Sequence, residues 1–396
     1  MNNFRLEHRP NKMPITITNV SSSSFIVISL LILALLLTLR KTQYTELFPV
    51  GITEELKGIG ILAVVFAHIS YMLVTDNHFL YPLSNAGGVG VDLFLLMSGY
   101  GLTVSMLKKK LSVTEFYRRR LTKVFIPFWL VLIVLFLTDN YMLHITYTLE
   151  YMLESFAEWF PRAPGFEDVD SPLWYINWLV MFYVLFPMLF MPKRPWLTAL
   201  LLAVIANAIA LTDPLHLQDN WLHRLHTNAF SLGILLAWLL AGNSGFSEKM
   251  TWFRNNSKGV NRPFILLLSA GIAAYMICHN APSDWPQVSP LLTKWGFNAD
   301  FFIGQTTSLI AMLMLVVLFS LKRLDCKVLY LFGLYSYETY LLHWPLLERY
   351  DQLFNYFPAW LAVIIWLFIF IALGWLMQKV TRPISAFVDS LLSPRK

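Results

Sequence analysis

Two ionisable side chains stand inside apolar stretches in the first third of the chain, and a dense basic loop follows them. EELKGIGILAVVFAHISYMLV, from Glu54, holds His68; NAGGVGVDLFLLMSGYGL holds Asp92; KKKLSVTEFYRRRLTKVFIP comes next and ends at Pro127. A charge at the centre of a bilayer costs roughly 2.5 to 3.5 kcal/mol even on lenient insertion scales, so two such groups in neighbouring segments call for a role. Lys57 precedes His68 by eleven residues, which on a helix is about 1100° of rotation, some 20° past three turns, and a rise of about 16 Å. One face therefore carries both. A cation at the inner boundary and an imidazole well above it suit a long anionic ligand that presents its reactive end to the histidine. The bland alternative is a snorkelling lysine and a histidine hydrogen-bonded within a bundle.

Counted from the outer ends of their segments, Asp92 and His68 reach similar depths. A carboxylate–imidazole pair is the expectation, with the carboxylate orienting the ring and raising its basicity; the competing role for Asp92 is a helix cap. Gly87, Gly88 and Gly90, and deeper Gly99 and Gly101, would let neighbouring backbones approach closely. Below them Lys108, Lys109, Lys110, Arg118, Arg119, Arg120 and Lys123 form the basic loop. Arg120 and Lys123 fall one helical turn apart and could grip one phosphate, whereas the loop as a whole could equally enforce topology or touch anionic lipid.

The elements that must position these groups are membrane helices. Only 14% of the 396 residues are charged and 57% are apolar, against about 25% charged in a soluble domain. At about 20 residues per span, eleven segments qualify: 23–39, 58–74, 88–107, 124–142, 173–191, 196–211, 226–241, 263–280, 302–321, 328–346 and 358–378. The fold class expected is all-α, a polytopic integral membrane protein with no room for a soluble domain between spans. The first segment, without a small-residue cleavage site behind it, reads as a retained helix. With the basic loop cytoplasmic and the segments alternating, the inner side collects 23 of the 30 lysines and arginines, which puts the N-terminus outside and the C-terminus in the cytoplasm. Arg5, Arg9 and Lys12 then lie outside, so the first segment fits least well.

The net charge of +6 comes from these inner loops and is no nucleic-acid footprint, because the aromatics sit in apolar segments away from the charges. The long outer stretch from Leu143 to Pro172 carries Glu150, Glu154, Glu158, Glu167, Asp168 and Asp170, suited to a lid over an external substrate or to a plain solvated loop. No His/Cys cluster has metal spacing, and no glycine loop is built to cradle phosphate. In the tenth segment Glu338 has no basic neighbour in sequence, and His343 shares a face with Thr339 and Ser336.

The run from Lys57 to Pro127 resembles membrane acyltransferase family three, integral-membrane enzymes that O-acylate cell-surface sugars. That family has Arg or Lys, ten residues, then His, matched by Lys57 and His68. GVDLFLLMSG, from Gly90 to Gly99, matches its Gly-Val-Asp run ending in Ser98-Gly99. An Arg-x-x-Arg before an apolar proline turn is matched in part by Arg120 and Lys123. SPLWYINWLVMFYVLFP, with Trp174 and Tyr183, looks like its Leu-Trp segment, and LFGLYSYETYLLHWPL, with Ser336, Tyr337, Glu338 and His343, looks like its closing signature. Two departures stand out: Leu179 occupies a place where many members have glutamate, and Lys123 replaces an arginine, keeping charge without a bidentate fork.

The resemblance implies an acyltransferase domain over residues 54–378, with an N-terminal tail and extra helix at 1–53, a cytoplasmic tail at 379–396, and no fused extracytoplasmic esterase-like domain. It implies transfer of an acyl group, acetyl above all, from cytoplasmic acetyl-CoA or another acyl-CoA to a hydroxyl of an outer glycan or glycolipid, at a multi-pass protein of a bacterial cytoplasmic membrane and without a metal. In that scheme His68 is the general base, held by Asp92, and Lys57, Arg120 and Lys123 bind the CoA phosphates. Ser98, Trp174, Tyr183, Ser336, Tyr337, Glu338 and His343 are supporting candidates. The competing scheme is a transporter of lipid-linked sugar with His68, Asp92 and Glu338 as a proton relay; the inverted repeats such a protein tends to show are not found.

Overall fold

The computed structural model describes residues 15, 17, 19–42, 44, 46–70, 78–109, 111–157, 174–214, 220–242, 244–256, 261–278 and 299–392. Without water to satisfy the backbone, long Leu/Val/Phe runs close their hydrogen bonds internally, and the described chain is accordingly helical almost throughout. In order it forms α1 (Val20–Leu37), the short strand β1 (Leu39–Lys41), α2 (Val50–His68), α3 (Gly87–Lys109), α4 (Val113–Arg120) and, after a π-helical turn at Leu121–Phe125, α5 (Ile126–Leu143). There follow α6 (Leu149–Phe156), α7 (Trp174–Leu189), α8 (Pro195–Thr212), α9 (Asn220–Leu225), α10 (Ala229–Ala237), α11 (Ser244–Asn256) and α12 (Asn261–Cys278). The last third supplies α13 (Ala299–Leu321), the strand β2 (Leu324–Cys326), α14 (Lys327–Leu334), α15 (Ser336–Tyr350), α16 (Leu353–Tyr356) and α17 (Ala359–Leu392).

Six of the described helices are long and apolar enough to cross a membrane, and a pair bent by 83° at Leu222–Leu240 and Gly245–Trp252 makes a seventh. This makes the protein predominantly helical and multi-pass; the described residues leave the expected count of eleven spans unconfirmed. The runs are interrupted where they were expected to continue. The 328–346 segment breaks at Tyr335 (φ −108°, ψ 15°), so that α14 and α15 are separate helices. Among the described residues the helix at Trp174–Leu189 covers 16 residues, fewer than a straight span needs.

Close backbone approach sets the core. A Cβ on Gly58 would collide with the Leu329 carbonyl, and one on Gly333 with the Glu54 carbonyl, so α2 and α14 pack with almost nothing between them. The expectation for the glycines of α3 holds in part: Gly90 faces Gly60 and Gly99 faces the Phe230 carbonyl, whereas Gly101 has nothing within 4 Å. Helix α1 is tied into the bundle at both ends. The Leu80 amide donates to Ser24 Oγ at 2.9 Å, and β1 pairs antiparallel with β2, Leu39 opposite Cys326. The least convincing segment in the sequence is thus anchored by hydrogen bonds that hydropathy does not register.

Cations gather at one end. Lys322 bonds Glu55, two residues from Lys57; β1, with Arg40 and Lys41, runs alongside β2; and Lys123 lies in the field of Lys57. Beyond Phe156 the acidic stretch, with Glu158, Glu167, Asp168 and Asp170, lies outside the described residues except for Ala157.

Candidate active site

His68 closes α2, half-buried, and its ring is held by a second imidazole. His68 Nδ1 and His343 Nε2 are 2.7 Å apart, with ring centroids at 4.9 Å, and Trp344 stands edge-on to His68 at 5.2 Å. The tautomers follow from one carbonyl. His343 Nδ1 lies 2.7 Å from the Tyr340 oxygen and must donate to it, which leaves Nε2 of the neutral ring as an acceptor. His68 Nδ1 therefore carries the hydrogen donated to His343, and the basic lone pair of His68 is on Nε2. His343 is fully buried and fixed by its own helix turn, so the geometry is that of an oriented base.

The expected partner is elsewhere. Asp92 Oδ1 accepts from His226 Nδ1 at 2.7 Å and Oδ2 accepts from Ser308 Oγ in a very short hydrogen bond; the carboxylate is fully buried. The pairing of Asp92 with His68 is thereby corrected, and helix register is the reason. Gly90 lies against Gly60 and Gly87 against Ala67, so the level of Asp92 on α3 corresponds to roughly residues 58–62 of α2, about 9 to 15 Å along the axis from His68. Counting from segment ends could not reveal this offset.

Toward the basic end the candidates converge. Like charges from Arg120, Lys57, Arg119 and Lys109 bear on Lys123, while Lys57 itself pairs with Glu54 at 2.8 Å. Arg120 ends α4 with its guanidinium 5.9 Å from the ring centres of Phe116 and Tyr183, and its Nε is buried with no hydrogen-bond partner among the described residues. Such a crowd of cations with an unsatisfied guanidinium nitrogen is the arrangement an anion completes. Trp174 and Tyr183, the supporting candidates of the Leu-Trp segment, are both buried. Trp174 stacks on His226 at 5.6 Å and Tyr183 lies under Arg120.

A line of aromatic side chains connects the two regions. Tyr175 has Ser98 as a neighbour and stands 5.3 Å from Tyr340, which lies 5.7 Å from His343; Tyr337 donates to the Val124 carbonyl at 2.7 Å. Glu338 is buried, and the neighbour missing from its own stretch comes from α17: Gln378 Nε2 donates to it at 3.1 Å and Arg382 donates to Gln378 at 2.5 Å. Ser336 is buried at the start of α15. Among the described residues no group of three or more His, Cys, Asp or Glu is placed to hold a metal ion.

Sequence reasoning passed over His226, Ser308, Tyr175 and Tyr340. The first had a visible signal: HRLHTNAF puts His223 and His226 close together at the edge of an apolar run. The tyrosines had none, since aromatic residues fill 15% of the chain.

Comparison with known proteins adds a family. A model described as an acyltransferase domain matches residues 55–379. The chain is 23% identical over 322 residues to the O-acetyltransferase OatA of Staphylococcus aureus strain NCTC 8325 / PS 47, an alignment covering 74% of this chain and 50% of that protein. The proteins of the same name in strains COL and MRSA252 match equally. The chain spans about half the length of the curated relatives it matches. No solved structure matches.

Proposed function

Because the chain belongs to the acyltransferase-domain family matched over residues 55–379, we propose that it moves an acyl group, most simply acetyl, from cytoplasmic acyl-CoA to a hydroxyl of a glycan or glycolipid on the outer side of a bacterial cytoplasmic membrane. The name O-acetyltransferase carried by its relatives supports acetyl and an oxygen acceptor. The observation that carries the reading is the His68–His343 pair, in which His68 Nδ1 is held 2.7 Å from a fixed partner, with tyrosines beside His343 and a crowd of cations around Lys123.

In this reading Arg120, Lys123 and Lys57 hold the phosphates of the donor, and the thioester arm runs along Tyr183, Tyr337, Tyr175 and Ser98. His68 Nε2 removes the acceptor proton while its Nδ1–H stays bound to His343, so the ring cannot rotate away from the acceptor. General-base help of this kind is worth about 10² to 10⁴ in rate. The test uses protein in vesicles supplied with labelled acetyl-CoA and crude envelope glycan. Label is expected to appear on the glycan with wild type and to vanish with His68→Ala at normal expression and melting temperature. Wild-type labelling by His68→Ala would sink the reading.

A further inference from the structure

The mechanism above uses one imidazole and leaves another, equally well held, without a task. His226 Nδ1 donates to Asp92 at 2.7 Å, the second carboxylate oxygen is taken by Ser308, and no protein partner holds His226 Nε2 among the described residues. The ring is clamped on one face by Trp174 at 5.6 Å and 25°. Its neighbours are otherwise spoken for: Arg224 Nε donates to the Ala210 carbonyl at 2.8 Å, and His223 Nε2 lies 3.3 Å from the Trp174 carbonyl. A carboxylate with no solvent contact needs hydrogen-bond donors on its oxygens, and His226 Nδ1 and Ser308 Oγ supply one to each. His68 stands in a different setting, facing the lone pair of a neutral ring. Two titratable groups of one kind in opposite settings is the pattern that separates an acid from a base.

Position agrees with that division. By the glycine register Asp92 lies level with residues 58–62 of α2, between Lys57 and His68. Trp174, against His226, precedes Tyr183, against Arg120, by nine residues, about 13 Å of helix. A donor held by its phosphates at the basic end therefore reaches His226 before His68. Resting on the acyltransferase reading, we propose that His226, held by Asp92, is the proton donor to the sulfur of the departing CoA.

The step balances. The acceptor hydroxyl gives its proton to His68 Nε2 as its oxygen bonds to the acyl carbon, the carbon–sulfur bond breaks, and the sulfur takes the proton from His226 Nε2. The products are the ester and the free thiol, with His68 protonated and His226 neutral. One proton lost from His68 and one gained by His226 through solvent reset the site. Asp92 is a positioning residue, acting through His226.

Leaving-group dependence tests this. An acid is needed for an alkyl thiol such as CoA and hardly at all for 4-nitrothiophenol, whose thiolate departs unaided, so acetyl-CoA and S-(4-nitrophenyl) thioacetate are compared as donors at concentrations giving measurable wild-type rates. His226→Gln is expected to lower transfer from acetyl-CoA roughly 10²-fold or more and from the aryl thioester less than tenfold. Asp92→Asn, which still accepts the Nδ1 hydrogen without a charge, shows the same ordering and serves if His226→Gln does not fold. His68→Ala lowers both donors alike. Equal losses with the two donors in folded His226→Gln or Asp92→Asn, or no loss in either, overturn the proposal while leaving the acyltransferase reading intact; absence of transfer from either donor in wild type removes the reading itself.

Discussion

Replacing His343 tests the site at its most constrained point. The ring does one thing for His68: its Nε2 receives the Nδ1 hydrogen at 2.7 Å in a buried place. His343→Leu leaves that hydrogen unpaired, and a buried unsatisfied donor costs about 1 to 3 kcal/mol. His68 escapes the cost by rotating or changing tautomer, and either removes Nε2 from the acceptor. At about 1.4 kcal/mol per tenfold, kcat should fall roughly 5- to 150-fold. The donor's KM should barely move, because the phosphates are held at the opposite end of the tyrosine line. His343→Gln places an amide oxygen where Nε2 was and should recover most of the loss. The assay is initial acetyl transfer to envelope glycan at varied acetyl-CoA, with unfolding in detergent measured alongside. An unchanged kcat in His343→Leu, or equal losses in the Leu and Gln variants, would refute the idea that His343 orients the base.

Three further expectations follow from other parts of the molecule. Arg120→Ala should raise the KM for acetyl-CoA while changing kcat less, since phosphate pairing is uniform binding energy; a collapse of kcat at constant KM would remove Arg120 from the donor site. A cysteine at Lys109 should react only with membrane-crossing thiol reagents and one at Glu154 with impermeant ones; labelling of the former from outside would invert the topology. Arg349→Met should destabilise the fold by about 3 to 5 kcal/mol, because Asp139 is fully buried and holds Arg349 together with Tyr147 at 2.7 Å and Tyr350 at 2.5 Å. Detergent unfolding checks it, and an unchanged melting temperature would mean that water replaces the pair.

What could be read from the sequence was class and inventory. Hydropathy identifies helices because a lipid-facing backbone has no other solution, and a charge inside an apolar run stands out against its cost. His68, Asp92, Glu338 and the basic loop were legible for that reason. Continuity was not: α14 and α15 read as one apolar run because nothing in LFGLYSYE forbids a helix, and the break at Tyr335 belongs to the packing of α14 on α2 through Gly58 and Gly333. Hydrogen bonds between distant segments are equally silent: charge placement made the first segment the poorest fit, and nothing in its sequence announces that β1 pairs with β2.

Pairing is the property that failed to show, and the failure has a definite physical form. A polar residue in an apolar helix announces that it has a partner without saying which, because the partner depends on the axial offset between helices. That offset is fixed where backbones touch. Had the contact of Gly90 with Gly60 been known, Asp92 would have been placed well below His68, and the nearest imidazole outside α2 would have been sought at that level. The sequence held it in HRLHTN, at the edge of an apolar run. The same logic explains Glu338, whose amide partner Gln378 lies 40 residues away on α17. In a bundle of this kind the small residues decide which polar residues meet, so Gly60→Leu should disturb the Asp92–His226 pair, some distance away, as well as the local packing. Loss of transfer from acetyl-CoA in Gly60→Leu, with transfer from the aryl thioester retained, would show that axial offset alone sets the pairing; equal loss from both donors would assign the glycine to folding only.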